Sequence, residues 1–524
     1  MRFSRPLQSS PYSYPSPDGQ LIAALLPSSI VVRMIKSLDI LRTIRLPPDL
    51  SSGVTSFIWS PSSSRLVVAV VDQIHIFSAR DGDFHGTAKI PSSLGKSAFV
   101  EFGATDSEVC IWSPFGIKLT LINFATSKVV EIANPKFYNA ASATKGYSFR
   151  SSTYHLALLT RSSGKDMVSI HSPETREIDR SWYPDTIDAQ GLVWTPDGKW
   201  LVVWESSAQP PRVLFYTSDG HLFKDWRGPL PYAPLDMGLE YGTGVRIVTL
   251  SADGQRAAIA NGSSCICILN TPSMVEAMRL RHPHVAEPKD TLQIWQEQNT
   301  FPRTGSFSLP VFVKATQPVT PQRATLNNAQ EPMSGCNLVK FDCSSSLLAT
   351  RLEDAPGTIW IWDISSSDLR AVLMYHANVT KLEWHPVQPE LLLVRCEGDS
   401  YGSLVFAWDP LSLGPRSIDM APQFPGTING KTHATWIRAK TESAALFYSD
   451  NTTCMVASLA DSDQEILPWQ DDSAPTSPSS HQGDMNMQSS PTSPLALEDV
   501  DDSIFIDVGD DTSEPDDTFH FIGR

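Results

Sequence analysis

An all-β ring of repeated four-stranded units is what this 524-residue sequence predicts, on three observations. A short turn followed by an apolar run recurs along most of the chain. Each recurrence is followed by a second strand-like run that often ends in an aromatic and a polar residue. Proline is abundant, 40 residues against 29 glycines, which argues against a mainly helical protein because proline removes a helix N–H and clashes with the preceding turn.

The recurring turns are SPDGQLIAAL (16–25), WSPSSSRLVVAV (59–70), FGATDSEVCIW (102–112), FRSSTYHLALL (149–159) and WTPDGKWLVVW (194–204). They continue as LSADGQRAAIA (250–260), FDCSSSLLATR (341–351), WHPVQPELLLV (384–394) and IRAKTESAALF (437–447). Most neighbours lie about 42 to 56 residues apart, with one step of about 91 between the sixth and seventh. The second strands, such as VDQIHIFSARDG (71–82), SCICILNTPS (264–273) and TIWIWDISSSD (358–368), show the alternation and β-branched enrichment of half-buried strands. Two of them end in Trp-Asp, at 362–363 and 408–409.

That grammar predicts a WD40-type β-propeller. One four-stranded blade cannot bury both faces, so blades must stack around a closed ring. Nine units are counted, and the expected ring has seven to nine blades, since the units at 102–127 and 437–458 read either as blades or as strands completing a neighbour. The tryptophans of 194–204 read as blade packing and the Pro196-Asp197-Gly198 turn as punctuation between strands.

Two segments fall outside the grammar. Residues 277–334 read as a long insertion, a short ordered stretch followed by a flexible Pro/Thr/Gln-rich loop. From 461 the chain is acidic and Ser/Pro-rich, with sixteen Asp or Glu against Arg524 alone, a net −15 of the whole chain's −16. The expected division is a propeller over 1–460 and a disordered tail over 461–524. The tail holds two apolar islands, Ile504-Phe505-Ile506 and Phe519-His520-Phe521-Ile522, of a kind used as docking peptides.

Residues 1–460 are close to neutral, which removes a global argument for nucleic-acid or anionic-membrane binding. With no signal-peptide core and no apolar run near the ~20 residues of a membrane span, a soluble cytoplasmic protein is expected. Seven scattered cysteines fit reduced buried thiols.

Catalytic and metal motifs are not found. Gly95-Lys96-Ser97 lacks the phosphate-loop glycine, its position being Ile90; Cys265 and Cys267 share one strand face with no second pair; His282-Pro283-His284 reads as a loop. No catalytic, metal or cofactor site is expected. The aromatic and acidic cluster Trp182, Tyr183, Asp185, Asp188 and Gln190 reads either as a partner-binding loop or as a packed connecting strand. Thr320, Ser477, Ser490 and Ser493 precede prolines and are candidate phosphosites for a cell-cycle kinase.

Several stretches together resemble one family, the WD-repeat protein eight family of centrosomes and fungal spindle poles. They are 113–120, 134–136 running to 145–147, Lys165 to Ile170, Asp185 to Trp204, Leu214 to Gly220, His282-Pro283, and Leu348 to Arg351 with Trp360 to Asp363. The resemblance covers about 1–460 and implies a non-enzymatic adaptor. Its implied partners are a coiled-coil spindle-pole anchoring protein and a kinesin-14 motor, and through them microtubule minus ends at the spindle pole body or centrosome. The unit at 102–112 departs from the family's Trp-Ser-Pro-Asp-Gly turn. The same region more faintly resembles nine-bladed translation-initiation scaffolds, the alternative reading, with ribosome or initiation factors as partners.

Overall fold

The computed structural model describes residues 1–50, 53–80, 82, 84–90, 99–113, 116–136, 145–228, 244–298, 309–323, 335–439, 443–460 and 466–470. Their strands form nine antiparallel-based sheets, with no α-helix among the described residues. Blade 1 consists of Ser13–Pro15, Leu21–Leu26, Ser29–Met34 and Ile40–Arg45. Blades 2 to 9 follow over 56–89, 99–133, 147–182, 189–226, 245–281, 336–374, 379–419 and 433–458. The first strands of neighbouring blades approach one another, for example 56–59 with 99–102 and 245–250 with 336–341, so they line the axis.

The units at 102–127 and 437–458 both form blades, which fixes the count at nine. The ninth supplies only three strands of its own. Its fourth is the chain's beginning: Arg2–Phe3 pairs with Ser458 and Ala457, and Leu7–Gln8 with Cys454 and Thr453.

Strand alternation places apolar side chains on both faces of each blade, and the buried residues fall into nine clusters, one per seam. Trp194 lies in the seam of blades 4 and 5 and Trp204 in that of 5 and 6, so both pack blades together. Each fully buried Leu, Ile or Val contributes about 1.5–3 kcal/mol.

The turns repeat one hydrogen-bond device. Ser16, Thr195 and Ser251 each donate a hydroxyl to the Asp two residues on, at 2.5, 2.6 and 2.5 Å. The same hydroxyl oxygens accept the N–H five residues on, from Leu21, Trp200 and Arg256. The following Gly19, Gly198 and Gly254 adopt φ of 70°, 69° and 69°, a region that glycine enters without Cβ strain. Ser63 and Ser345 occupy the same place at φ 65°, which is why the turns without glycine still belong to the series. The 102–112 unit substitutes Glu108, whose buried carboxylate accepts the Ala104 N–H and a two-pronged bond from Arg176 of blade 4.

The Trp-Asp ending has a divided role. Trp362 donates its indole N–H to the Thr350 hydroxyl, while Asp363 accepts the Ser365 and Ser366 N–H groups and so fixes the next turn. His282, expected in a loop, is buried in this network: its Nδ1 meets the Ser264 carbonyl at 2.6 Å and its Nε2 meets Thr350 Oγ1 at 2.8 Å. Because a carbonyl only accepts, Nδ1 carries the hydrogen and Nε2 accepts from Thr350.

Two boundaries differ from the sequence reading. Val275–Arg281 is the outer strand of blade 6, so the insertion starts at 282 instead of 277. Within it Gln293–Gln298 pairs in parallel with Asp368–Met374, and Val311–Lys314 pairs antiparallel with Gln293–Gln298, which makes blade 7 six-stranded. The reason is alternation: Ile294 enters the 6/7 seam while Trp295 and Phe312 enter the 7/8 seam.

The second boundary is at the tail. Residues 461–465 and 471–524 lie outside the described residues, but 466–470 belong to the ring. Trp469 is 3% exposed in the seam of blades 9 and 1, among Leu7, Ile22, Leu38 and Phe447, and the Gln470 N–H bonds the Lys36 carbonyl at 2.7 Å.

Two outcomes follow for stability. Trp469→Ala should lower unfolding free energy by about 3–5 kcal/mol in urea titrations, and a chain ending at 460 should be less stable than one ending at 470 by a similar amount. Burial pushes the His282 pKa down to about 4, below the unfolded value near 6.5. The unfolded chain therefore takes a proton that the native ring refuses, so the stability His282 contributes above pH 6.5 should fall on the order of 1–2 kcal/mol by pH 5, and His282→Gln should remove that share of the dependence in urea midpoints and leave the shares of His385 and His433, which burial also lowers to about 4.

Candidate functional site

In each blade consecutive strands are antiparallel, so connections after the second and fourth strands lie on one edge of the ring. The loop joining blades 4 and 5, residues 183–188, shares that edge with the 206–212 connection, opposite the Pro-Asp-Gly turns.

The loop is anchored along its length. The Asp185 N–H bonds the hydroxyl of buried Tyr216 at 3.0 Å, and the Ile187 and Asp188 N–H groups bond the carboxylate of Glu205, which is 2% exposed. Asp185 accepts from Arg212 at 2.5 Å, and Arg212 grips Asp225 with two bonds of 3.0 and 2.8 Å. The hydrogen bond from Arg212 holds the Asp225 carboxyl below its ordinary range, and the Asp225 bond raises the guanidinium in turn. Asp188 accepts from Lys136 at 2.8 Å and Arg161 at 3.0 Å. Partial burial opposes its ionisation, but the Lys136 bond and the two positive charges outweigh this and leave its pKa lowered. Lys136 also pairs with Asp166 at 2.5 Å, where both side chains are almost wholly buried, and Asp166 takes the Ala189 N–H at 2.7 Å.

The five sequence candidates are thus neighbours with different tasks. Trp182 packs on Tyr216 and covers Gly220, where a Cβ would sit 2.7 Å from the indole. Asp185 and Asp188 are consumed by internal ion pairs, and Gln190 lies half-buried in Ala189–Trp194. Tyr183 remains presented, at 63% exposure, and so does Ile187 at 69%. Ile187 was not among the candidates; an isoleucine between two acids in a loop carried the signal. The anchored loop thus presents two large, mostly exposed side chains at its ends.

Elsewhere, Thr320 is exposed, but the following Pro321 is buried and Val319 is tied to Ala286 by two backbone bonds. Ser477, Ser490 and Ser493 lie outside the described residues. All seven cysteines are free thiols, six of them buried, Cys265 and Cys267 included. Among the described residues no three His, Cys, Asp or Glu side chains gather as a metal site.

The fold defines the chain as a nine-bladed β-propeller whose blade 7 and blade 8 carry Trp-Asp strand endings. It is similar to the WD repeat-containing protein WRAP73 of Mus musculus, 24% identical over 438 residues that span 78% of this chain and 87% of the mouse protein. It is also similar to an uncharacterized WD repeat-containing protein of Schizosaccharomyces pombe, 23% identical over 402 residues, 72% of this chain and 74% of that one. Among solved structures it is similar to a crystal structure of the eukaryotic initiation factor, at TM-score 0.48 and 12% identity, covering 78% of this chain and 87% of that one. A second is the Dos1 propeller, at TM-score 0.46 and 9% identity, covering 78% and 92%. No protein-family model matches the chain.

The anchoring predicts unequal mutational costs. Lys136→Ala leaves the Asp166 carboxylate buried without its cation and should cost about 3–5 kcal/mol in denaturant unfolding. Arg212→Ala breaks an exposed pair with Asp185, 73% exposed, and a mostly buried one with Asp225, 19% exposed but still held by Arg227, and should cost about 1–2 kcal/mol while speeding amide exchange at Asp185. Equal costs would contradict the assignment of these anchors.

Proposed function

We propose that this protein is a non-enzymatic WD-repeat scaffold that assembles a microtubule minus-end anchoring complex at the spindle pole body or centrosome during mitosis. Its partners in this reading are a coiled-coil spindle-pole anchoring protein and a kinesin-14 motor, and it works in the cytoplasm and on the cytoskeleton. The observation that carries the scaffold role is the loop of 183–188. Its backbone N–H groups are tied to Glu205 and Tyr216, and what it offers outward is Tyr183 and Ile187 with the Arg212-paired Asp185 between them. The spindle-pole assignment rests on the family resemblance of the ordered stretches across 1–460, and similarity to WD repeat-containing proteins over most of the chain supports the scaffold part of the reading.

A rigid loop with two exposed apolar side chains suits the apolar stripe of a coiled-coil partner, because preorganisation reduces the ordering cost of association. Imaging of a tagged full-length protein through mitosis should give one or two foci at the spindle poles. The double variant Tyr183→Ala, Ile187→Asp should lose the foci and at least tenfold of partner recovery in pull-downs, with unchanged thermal stability. Diffuse cytoplasmic signal together with co-sedimentation with ribosomes would replace this reading with the initiation-scaffold one.

A further inference from the structure

On the edge that carries the Pro-Asp-Gly turns, a groove of about 960 Å³ opens where blades 9, 1 and 2 meet. That lies at the upper end of the ~300–1,000 Å³ usual for binding clefts. One wall is the turn at Gly19, which is fixed in place: its φ is 70°, and a Cβ there would fall 2.3 Å from the Arg438 carbonyl oxygen. The opposite wall is the segment 466–470 that Trp469 pins into the ring.

The groove combines two features. Its apolar surface includes Met34, Leu41 and Ile466, exposed by 37%, 41% and 71%. Its rim carries Lys36, Arg80, Arg438 and Arg2, against Asp18 as the one acid among the described lining residues. Asp18 is already engaged by Arg80 at 2.5 Å and by the Ser16 hydroxyl. An apolar floor with a basic rim fits a short apolar peptide flanked by carboxylates.

We infer that the groove binds this chain's own segment Ile504-Phe505-Ile506. The described chain leaves the ring at Gln470, on the groove's own wall, and the 33 residues from 471 to 503 lie between that exit and Ile504. Closing a loop of that length costs entropy that grows only as about (3/2)RT ln n, and such a tether sets an effective concentration on the order of 1 mM. Charge selects this island. Glu498, Asp499, Asp501 and Asp502 precede it and Asp507, Asp510 and Asp511 follow, with no basic residue among them. The other island, Phe519 to Ile522, is followed by Arg524, whose cation opposes the rim. In an extended segment Ile504 and Ile506 share a face, which lets both enter the floor while Phe505 packs from the other side. Docked, the tail occupies the edge opposite the 183–188 loop, so its release would expose a second recognition surface without touching the first. The inference is independent of which complex the protein joins.

The test measures anisotropy of a fluorescein-labelled synthetic peptide of residues 498–511 binding to the full-length protein. With a tether near 1 mM and a peptide Kd of ~100 µM, wild type should bind the added peptide roughly tenfold more weakly than Phe505→Asp, whose own segment no longer competes. Adding Lys36→Glu and Arg438→Glu to Phe505→Asp should abolish that binding; both side chains are exposed, so the ring should keep its thermal midpoint. Equal binding by wild type and Phe505→Asp would overturn the inference, as would binding that survives the charge reversals. A photo-crosslinker at position 505 should give adducts within one chain to peptides spanning 34–41 or 466–470. Adducts between two copies, or to other regions, would equally sink it.

Discussion

Everything in this molecule depends on one seam closing. A blade has two apolar faces, and only a complete circle covers both faces of every blade. Eight seams join blades adjacent in sequence. The ninth, between blades 9 and 1, is assembled from parts at the extremes of the described chain: Leu7, the blade 9 strands, Ile22 and Leu38 of blade 1, and Trp469. Without it, two blade faces would meet water and the remaining seams would have no geometric reason to stay shut. Hydrogen bonds 452 residues apart in sequence hold the strand there, with the Ser4 N–H bonding the Val456 carbonyl and the Val456 N–H bonding the Ser4 hydroxyl.

Local order was readable from sequence wherever it is caused locally. The turns could be counted because those described are made by residues within about five positions of one another, and glycine-free ones still place a residue in the left-handed region, Ser63 and Ser345 in two of them, Tyr154 and Glu390 in two others. The Trp-Asp pairs were visible, though the division of labour between them was not, since Trp362 bonds Thr350 twelve residues away. Contacts between distant segments were illegible. Nothing in Arg2 to Gln8 marks it as the last strand of blade 9, and Trp469 is a single tryptophan at the start of an acidic run. The insertion strands were half legible: LQIWQEQ alternates, but its parallel partner lies at Ala371 to Met374.

The candidate loop followed the same rule. Its aromatic and acidic residues drew attention from sequence, yet the acids are bound by Arg212, 27 residues on, and by Lys136, 52 residues back. Carboxylates that looked available for a partner are in fact the loop's own fasteners. What is left for recognition is the apolar pair Tyr183 and Ile187, a chemistry that sequence alone gives little reason to select.

The shared terminal blade also sets an order of events during synthesis. Residues 1–8 leave the ribosome first but cannot find their strand partner until about 450 residues later. At roughly 5–20 residues per second that wait is on the order of 25–90 s. Throughout it, the blade 1 face that carries Ile22 and Leu38 is uncovered and the N-terminal strand has an open edge, the two features that invite mispairing between nascent chains. The ring thus stays incomplete for longer than a typical small domain needs to fold, and the pairing of Arg2–Phe3 and Leu7–Gln8 with blade 9 is a step of assembly in time as well as in space.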